Sequence, residues 1–199
     1  MSADTYQVSD GKPLFELGEE KTGGCTPNDV AGGKKLLVLD WCLNEITTYG
    51  QIKEVDPKSG EIKWRYRLTD KKTKKTMAWK FNKVYSVDPL VVSVHESKDQ
   101  FNWSVIALKP NGKLRSTING GKYKFEPCAG SGDSGRGAQN CDGDLVGKGL
   151  FYLTTKLAGE DLIGRTEIVA FDLDTGKVKW RPGPRTSARS FPWRPKGRP

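Results

Sequence analysis

One phrase recurs along this chain and limits what it can fold into. Its fullest copy is Ala170-Phe171-Asp172-Leu173-Asp174-Thr175-Gly176-Lys177-Val178-Lys179-Trp180. It reads as a tight hairpin: an apolar strand, a polar turn closed by glycine, and a strand ending in tryptophan. Asp172 and Thr175 can bond the turn backbone through their side chains, and Gly176 can take the positive φ that such a turn needs. The phrase occurs earlier as Glu54-Val55-Asp56-Pro57-Lys58-Ser59-Gly60-Glu61-Ile62-Lys63-Trp64. A shortened copy runs from Ala107 through Gly112 to Leu114, and a degraded one opens the chain, from Val8 through Gly11 to Phe15. The turn glycines stand at 11, 60, 112 and 176, at intervals of 49, 52 and 64 residues. A supersecondary unit returning about every fifty residues marks a repeat architecture.

The segments between the turns repeat in the same order. A continuous apolar run, Leu36 to Leu39, Leu90 to Val94 or Leu150 to Leu153, starts 24, 22 and 26 residues before its turn glycine. Such short runs suit strands buried on both faces. The arm after the first full turn alternates: Ile62, Trp64, Tyr66 and Leu68 on one face, Glu61, Lys63, Arg65 and Arg67 on the other. That is the period of an outer strand with one wet face. Trp103 to Leu108 and Glu167 to Asp172 read as third strands, Lys113 to Ile118 and Lys177 to Trp180 as outer arms. With Gly11 placed on Gly60, Phe15 falls where Trp64 stands, so residues 4–17 read as the closing hairpin of a unit. Small four-stranded antiparallel sheets in series are the blades of an all-β propeller. The expected layout is an outer hairpin at 4–17, blades at about 18–68, 82–118 and 140–181, and a tail at 182–199.

The phrase Ala-x-Asp-x-x-Thr-Gly-x-x-x-Trp resembles the tryptophan-docking repeat of the PQQ-like (quinoprotein dehydrogenase-like) β-propellers. Residues 170–180 match it at Ala170, Asp172, Thr175, Gly176 and Trp180. Residues 54–64 keep Asp56, Gly60 and Trp64, with Glu54 for Ala and Ser59 for Thr, and the third copy keeps Ala107 and Gly112 without the Asp and Trp. The resemblance covers roughly residues 6–181, and the layout is similar to secreted actinobacterial members of that family. It implies seven or eight blades in a whole ring, so the chain is expected to be an open arc of a larger propeller. Recurrence at equivalent positions implies that Trp64 and Trp180 pack between neighbouring blades rather than stack on a ligand.

Composition narrows the function classes. The net charge of +9 could point to nucleic acid, but Arg181, Arg185, Arg189, Arg194, Lys196 and Arg198 lie in a tail with no acid, leaving about three charges on the body. Lys71-Lys72-Thr73-Lys74-Lys75 reads as a solvated loop. With 35% apolar residues and six tryptophans the chain can build a core, and no apolar run approaches the ~20 residues of a membrane-spanning helix. Cys25 and Cys42 bracket the first apolar run, and Cys128 and Cys141 flank a glycine-rich loop. Two local pairs predict two disulfides and an oxidising compartment; the alternative is four unrelated buried thiols. No Cys-x-x-Cys occurs and His95 is the one histidine, which argues against zinc.

Other suggestive phrases fail on chemistry. Gly132-Asp133-Ser134-Gly135 echoes a serine-protease loop, but His95 is the only base available to it. Gly143-Asp144-Leu145-Val146-Gly147-Lys148 is one residue short of a phosphate-binding loop and lacks the following Ser or Thr; it reads better as a strand and turn. Asp142 and Asp144 are too few for a calcium cage.

The reading for function is a non-catalytic extracytoplasmic scaffold that binds a protein, peptide or glycan, with the insertion at 122–146 as its surface. No cofactor is expected. The alternative that the resemblance implies is a PQQ-dependent oxidoreductase holding the quinone over calcium, often beneath a disulfide of adjacent cysteines, and this chain has no Cys-Cys pair. After Trp180, five prolines and no alternation exclude a central strand, so residues 182–199 are expected to be a disordered basic tail. Open blade flanks would leave the arc prone to self-association.

Overall fold

A computed structural model describes residues 3–18, 24–43, 48–69, 77–96, 103–119, 145–156 and 166–181. These residues form an all-β structure of blades: three four-stranded antiparallel sheets preceded by a two-stranded hairpin. The hairpin pairs β1 (Ala3–Tyr6) with β2 (Pro13–Leu17). The first sheet holds β3 (Cys25–Ala31), β4 (Leu36–Leu43), β5 (Thr48–Val55) and β6 (Ile62–Arg67), in that order. The second holds β7 (Trp79–Val87), β8 (Leu90–Glu96), β9 (Trp103–Leu108) and β10 (Leu114–Asn119). The third holds β11 (Leu145–Gly147), β12 (Leu150–Lys156), β13 (Thr166–Asp172) and β14 (Val178–Trp180).

The apolar runs become second strands. Leu37, Val38 and Leu39 of β4 and Leu90 to Val94 of β8 are buried on both faces, as continuous hydrophobicity requires. β6 alternates between half-buried Ile62, Trp64 and Tyr66 and exposed Lys63, Arg65 and Arg67. Residues 145–150 form a strand, a turn at Lys148 and Gly149, and the start of the next strand, not a phosphate loop. Cys25 pairs opposite Cys42 across β3 and β4, and the two form a disulfide. Cys128, Cys141, the 132–135 phrase, Asp142, Asp144, the 71–75 lysines, all of the 122–146 insertion but its last two residues, and the 182–199 tail lie outside the described residues.

The sheets stack face to face, and each junction has its own apolar cluster. Leu17 of the hairpin meets Val38 and Val55 of the first sheet. Leu37, Leu39 and Ile52 of the first sheet meet Phe81, Val92 and Ile106 of the second. Val91, Val105 and Ile118 of the second meet Phe151, Val169 and Phe171 of the third.

All four outer hairpins share a backbone irregularity. The partners run Tyr6↔Pro13 then Thr5↔Phe15; Val55↔Ile62 then Glu54↔Trp64; Leu108↔Leu114 then Ala107↔Ser116; Phe171↔Val178 then Ala170↔Trp180. In each, one residue of the outer strand is skipped: Leu14, Lys63, Arg115 and Lys179. A bulge of this kind re-aims the residue after it. Here that residue is Phe15, Trp64, Ser116 or Trp180.

Candidate functional site: the blade flanks

The turn aspartates shape the hairpins. Oδ1 of Asp56 accepts the backbone N–H of Lys58 and of Ser59, and Oδ1 of Asp172 accepts those of Asp174 and Thr175 plus the Thr175 hydroxyl. The N–H donors of Lys58 and Ser59, with Lys63 beside them, hold the Asp56 carboxyl at about 2. The Thr175 N–H, followed by that of Asp174 and the Thr175 hydroxyl, holds Asp172 below the usual carboxylate range. Both are ionised at neutral pH and fully engaged, which suits a turn and not proton transfer. Gly60, Gly112 and Gly176 have φ of 75°, 76° and 68°, the left-handed region their turns need.

Each turn glycine is also a docking floor. A methyl group on Gly60 would sit 2.9 Å from the Phe15 ring of the preceding hairpin, and one on Gly112 would sit 2.6 Å from ring atoms of Trp64. The aromatic side chain after one bulge thus lies against the glycine of the next unit. Trp64 is fixed from its own sheet as well: its indole N–H donates to Oε2 of Glu54 at 2.9 Å. The residue opposite the docking position is therefore Glu54 in one unit and small, fully buried Ala170 in another.

The remaining junction works differently. Ser116 occupies the docking position, and its hydroxyl donates to the Leu173 carbonyl at 2.7 Å. A methyl group on Gly176 would run into the backbone carbonyl of Thr117. Arg115, the skipped residue, donates through Nε to Oδ1 of Asp174 at 2.7 Å. That bond lowers the Asp174 pKa and raises that of Arg115. Trp180 corrects the expectation of inter-blade packing: it is 53% exposed and outside every apolar cluster. The hairpin gives the side chain its aim, but burial requires a glycine floor in front of it.

A buried polar constellation on the first sheet has one faint sequence cue, the acid Asp40 directly after Leu36–Leu39. Lys53, 3% exposed, places Nζ 3.0 Å from Oδ2 of Asp40, which is 1% exposed. The Gln51 amide donates to that same Oδ2 at 3.0 Å, and Nε of Arg67 donates to Oε1 of Gln51 at 2.6 Å. In the second sheet, counted from the matching pairs, Val94 and Ile106 stand where Asp40 and Lys53 do. Buried charges persist when paired and hydrogen-bonded, and these are both. His95 is half-buried, with its ring 5.2 Å from Trp103 and Nδ1 3.0 Å from the Glu96 carbonyl. Among the described residues, no group of three or more His, Cys, Asp or Glu could hold a metal ion.

No protein-family model matches the chain, and neither does any curated protein. Among solved structures, the chain is similar to BamB from Moraxella catarrhalis, at a TM-score of 0.32 and 14% identity. The match covers 90% of this chain and spans 58% of that one. A likeness at that level adds nothing to the fold, which rests on the sheet pairing and docking geometry.

Proposed function

We propose that this chain is a non-catalytic β-propeller segment serving as an extracytoplasmic scaffold for a protein, peptide or glycan ligand. One observation carries this reading: the recurring residues are consumed by construction. Asp56 and Asp172 close turns, Gly60, Gly112 and Gly176 give the preceding unit its floor, and Trp64 fills one. Function is then left to surfaces between and beside the repeats. The Cys25–Cys42 disulfide supports an oxidising compartment. No helix among the described residues is long and apolar enough to cross a membrane.

The competing class is the PQQ-dependent oxidoreductase. Calorimetric titration of PQQ with calcium, paired with a dye-linked alcohol or sugar oxidation assay, separates the two. The scaffold reading expects no saturable uptake and no dye reduction. Calcium-dependent, stoichiometric PQQ binding would replace it with the quinoprotein reading.

A further inference from the structure

The four outer turns share one polar contact that the docking geometry does not use. The side chain before each turn glycine accepts the backbone N–H of the residue after it. Oδ1 of Asp10 accepts from Lys12 at 3.2 Å, and Oγ of Ser59 from Glu61 at 3.3 Å. Oδ1 of Asn111 accepts from Lys113 at 3.2 Å, and Oγ1 of Thr175 from Lys177 at 3.3 Å. Four different side chains serve because the place asks only for an oxygen. Of the four, Asn111 alone is an amide, so its Cγ is an electrophile with a nitrogen that can leave. The next backbone nitrogen belongs to Gly112, which has no side chain to shield it. The Lys113 N–H on Oδ1 draws electron density from the amide carbonyl and favours addition at Cγ.

We infer that the Asn111–Gly112 turn is a deamidation site, and that its isoaspartyl product undoes the Trp64 junction. The Gly112 nitrogen bonds to Cγ as the Cγ–Nδ2 bond breaks, and Nδ2 leaves as ammonia with the proton that Gly112 gives up. Water then opens the cyclic imide in one of two ways. Cleavage between Cγ and the nitrogen gives aspartate in an ordinary chain. Cleavage at the main-chain carbonyl gives isoaspartate, whose main chain runs through the side-chain methylene. The aspartate keeps the accepting oxygen, as Asp10 shows at the same place, and stands between exposed Lys109 and Lys113. Isoaspartate inserts a methylene between Pro110 and Gly112, and there is no slack to absorb it. The Gly112 N–H is bonded to the Lys109 carbonyl at 2.9 Å, and Trp64 ring atoms stand 2.6 Å from where a methyl group on Gly112 would be. The same N–H bond holds the nitrogen back, so the reaction is a slow, one-way timer. It is independent of any ligand, so the PQQ titration does not bear on it.

Ageing the whole chain in mildly alkaline heavy-oxygen water, beside the same chain in denaturant, tests this. Peptide mapping by mass spectrometry should find the 111 peptide of the native protein converted from amide to acid with one heavy oxygen taken up. An isoaspartyl methyltransferase should label part of it. Separated by ion exchange, the isoaspartyl fraction should show red-shifted tryptophan emission and a fall in denaturation midpoint close to that of Trp64→Ala. The aspartyl fraction, and the variant Asn111→Asp, should keep the parent's emission and midpoint. Asn111→Ser, on the pattern of Ser59, keeps the acceptor without the amide and should age unchanged. A native Asn111 that stays intact while the denatured chain converts overturns the inference. So does an isoaspartyl fraction as stable as the parent, or an Asn111→Ser chain that loses its junction at the parent's rate.

Discussion

Among the described residues, the two junctions between four-stranded sheets perform one task by different means. Between the first and second sheets an indole lies against Gly112, with Tyr66 edge-on to Phe81 at 6.4 Å and an apolar cluster behind them. Between the second and third sheets the docking position holds a serine. The chains approach until the Thr117 carbonyl takes the place of a ring, and Arg115 and Ser116 tie across by hydrogen bonds. Apolar burial continues underneath, with Tyr85 and Phe151 ring centroids 4.9 Å apart. The difference teaches that the glycine floor is the constant requirement. What stands on it can be an aromatic ring or a neighbouring backbone.

The largest effect expected is at the aromatic junction. Trp64→Ala removes the ring from Gly112 and strips Glu54 of its indole donor, and should cost about 3–5 kcal/mol in chemical denaturation, as for a large core truncation. Trp180→Ala should change stability by no more than about 0.5 kcal/mol, as at other exposed sites. Equal losses at the two tryptophans would erase the distinction between an occupied and an open flank.

The glycines give the next test. Gly11→Ala should lose about 1–2 kcal/mol through left-handed backbone alone. Gly176→Ala adds a collision with a rigid carbonyl and should lose clearly more, on the order of 3 kcal/mol. Equal losses in thermal melts would mean that the second junction does not depend on close approach.

How much could be read beforehand follows from what each residue's partner is. The hairpins, with their Asp, Thr and Gly, are local: turn chemistry acts within five residues, so Asp56 and Asp172 declare themselves. The buried second strands are legible because four or five consecutive apolar residues have no wet face. Phe15 could be placed by counting from Gly11. Trp180 departs from what its motif implies because the motif describes the hairpin that carries it, while burial depends on another unit. The Asp40–Lys53 pair was hidden because Gln51, Lys53 and Glu54 look like a solvated strand, and nothing local says that Asp40 lies opposite. The only cue was an acid directly after Leu36–Leu39, inside a strand otherwise apolar.

The smallest effect expected is electrostatic. Asp56, Asp172 and Asp174 have folded pKa values below the ordinary 3.8, so they bind fewer protons folded than unfolded. Their contribution is whole above pH 3.8 and fades as the pH falls towards about 2, the folded value of Asp56. Asp174→Asn should flatten part of that acid slope and remove salt sensitivity from the second junction, with little change at neutral pH. An acid slope identical to the parent's would show that the Arg115 tie does not contribute.

Length variation in this chain avoids one place. The turn glycines are separated by 49, 52 and 64 residues, yet the residue at the docking position always stands four after its glycine: 15, 64, 116 and 180. The skipped residue at 14, 63, 115 or 179 explains why. Inserting or deleting one residue in that interval would turn the docking side chain to the opposite face of its sheet. Exchanging the side chain itself, as Ser116 shows, leaves the blade in place. For anyone splicing blades between chains of this kind, the four-residue spacing is the joint to preserve, and the loops are where cuts and additions belong.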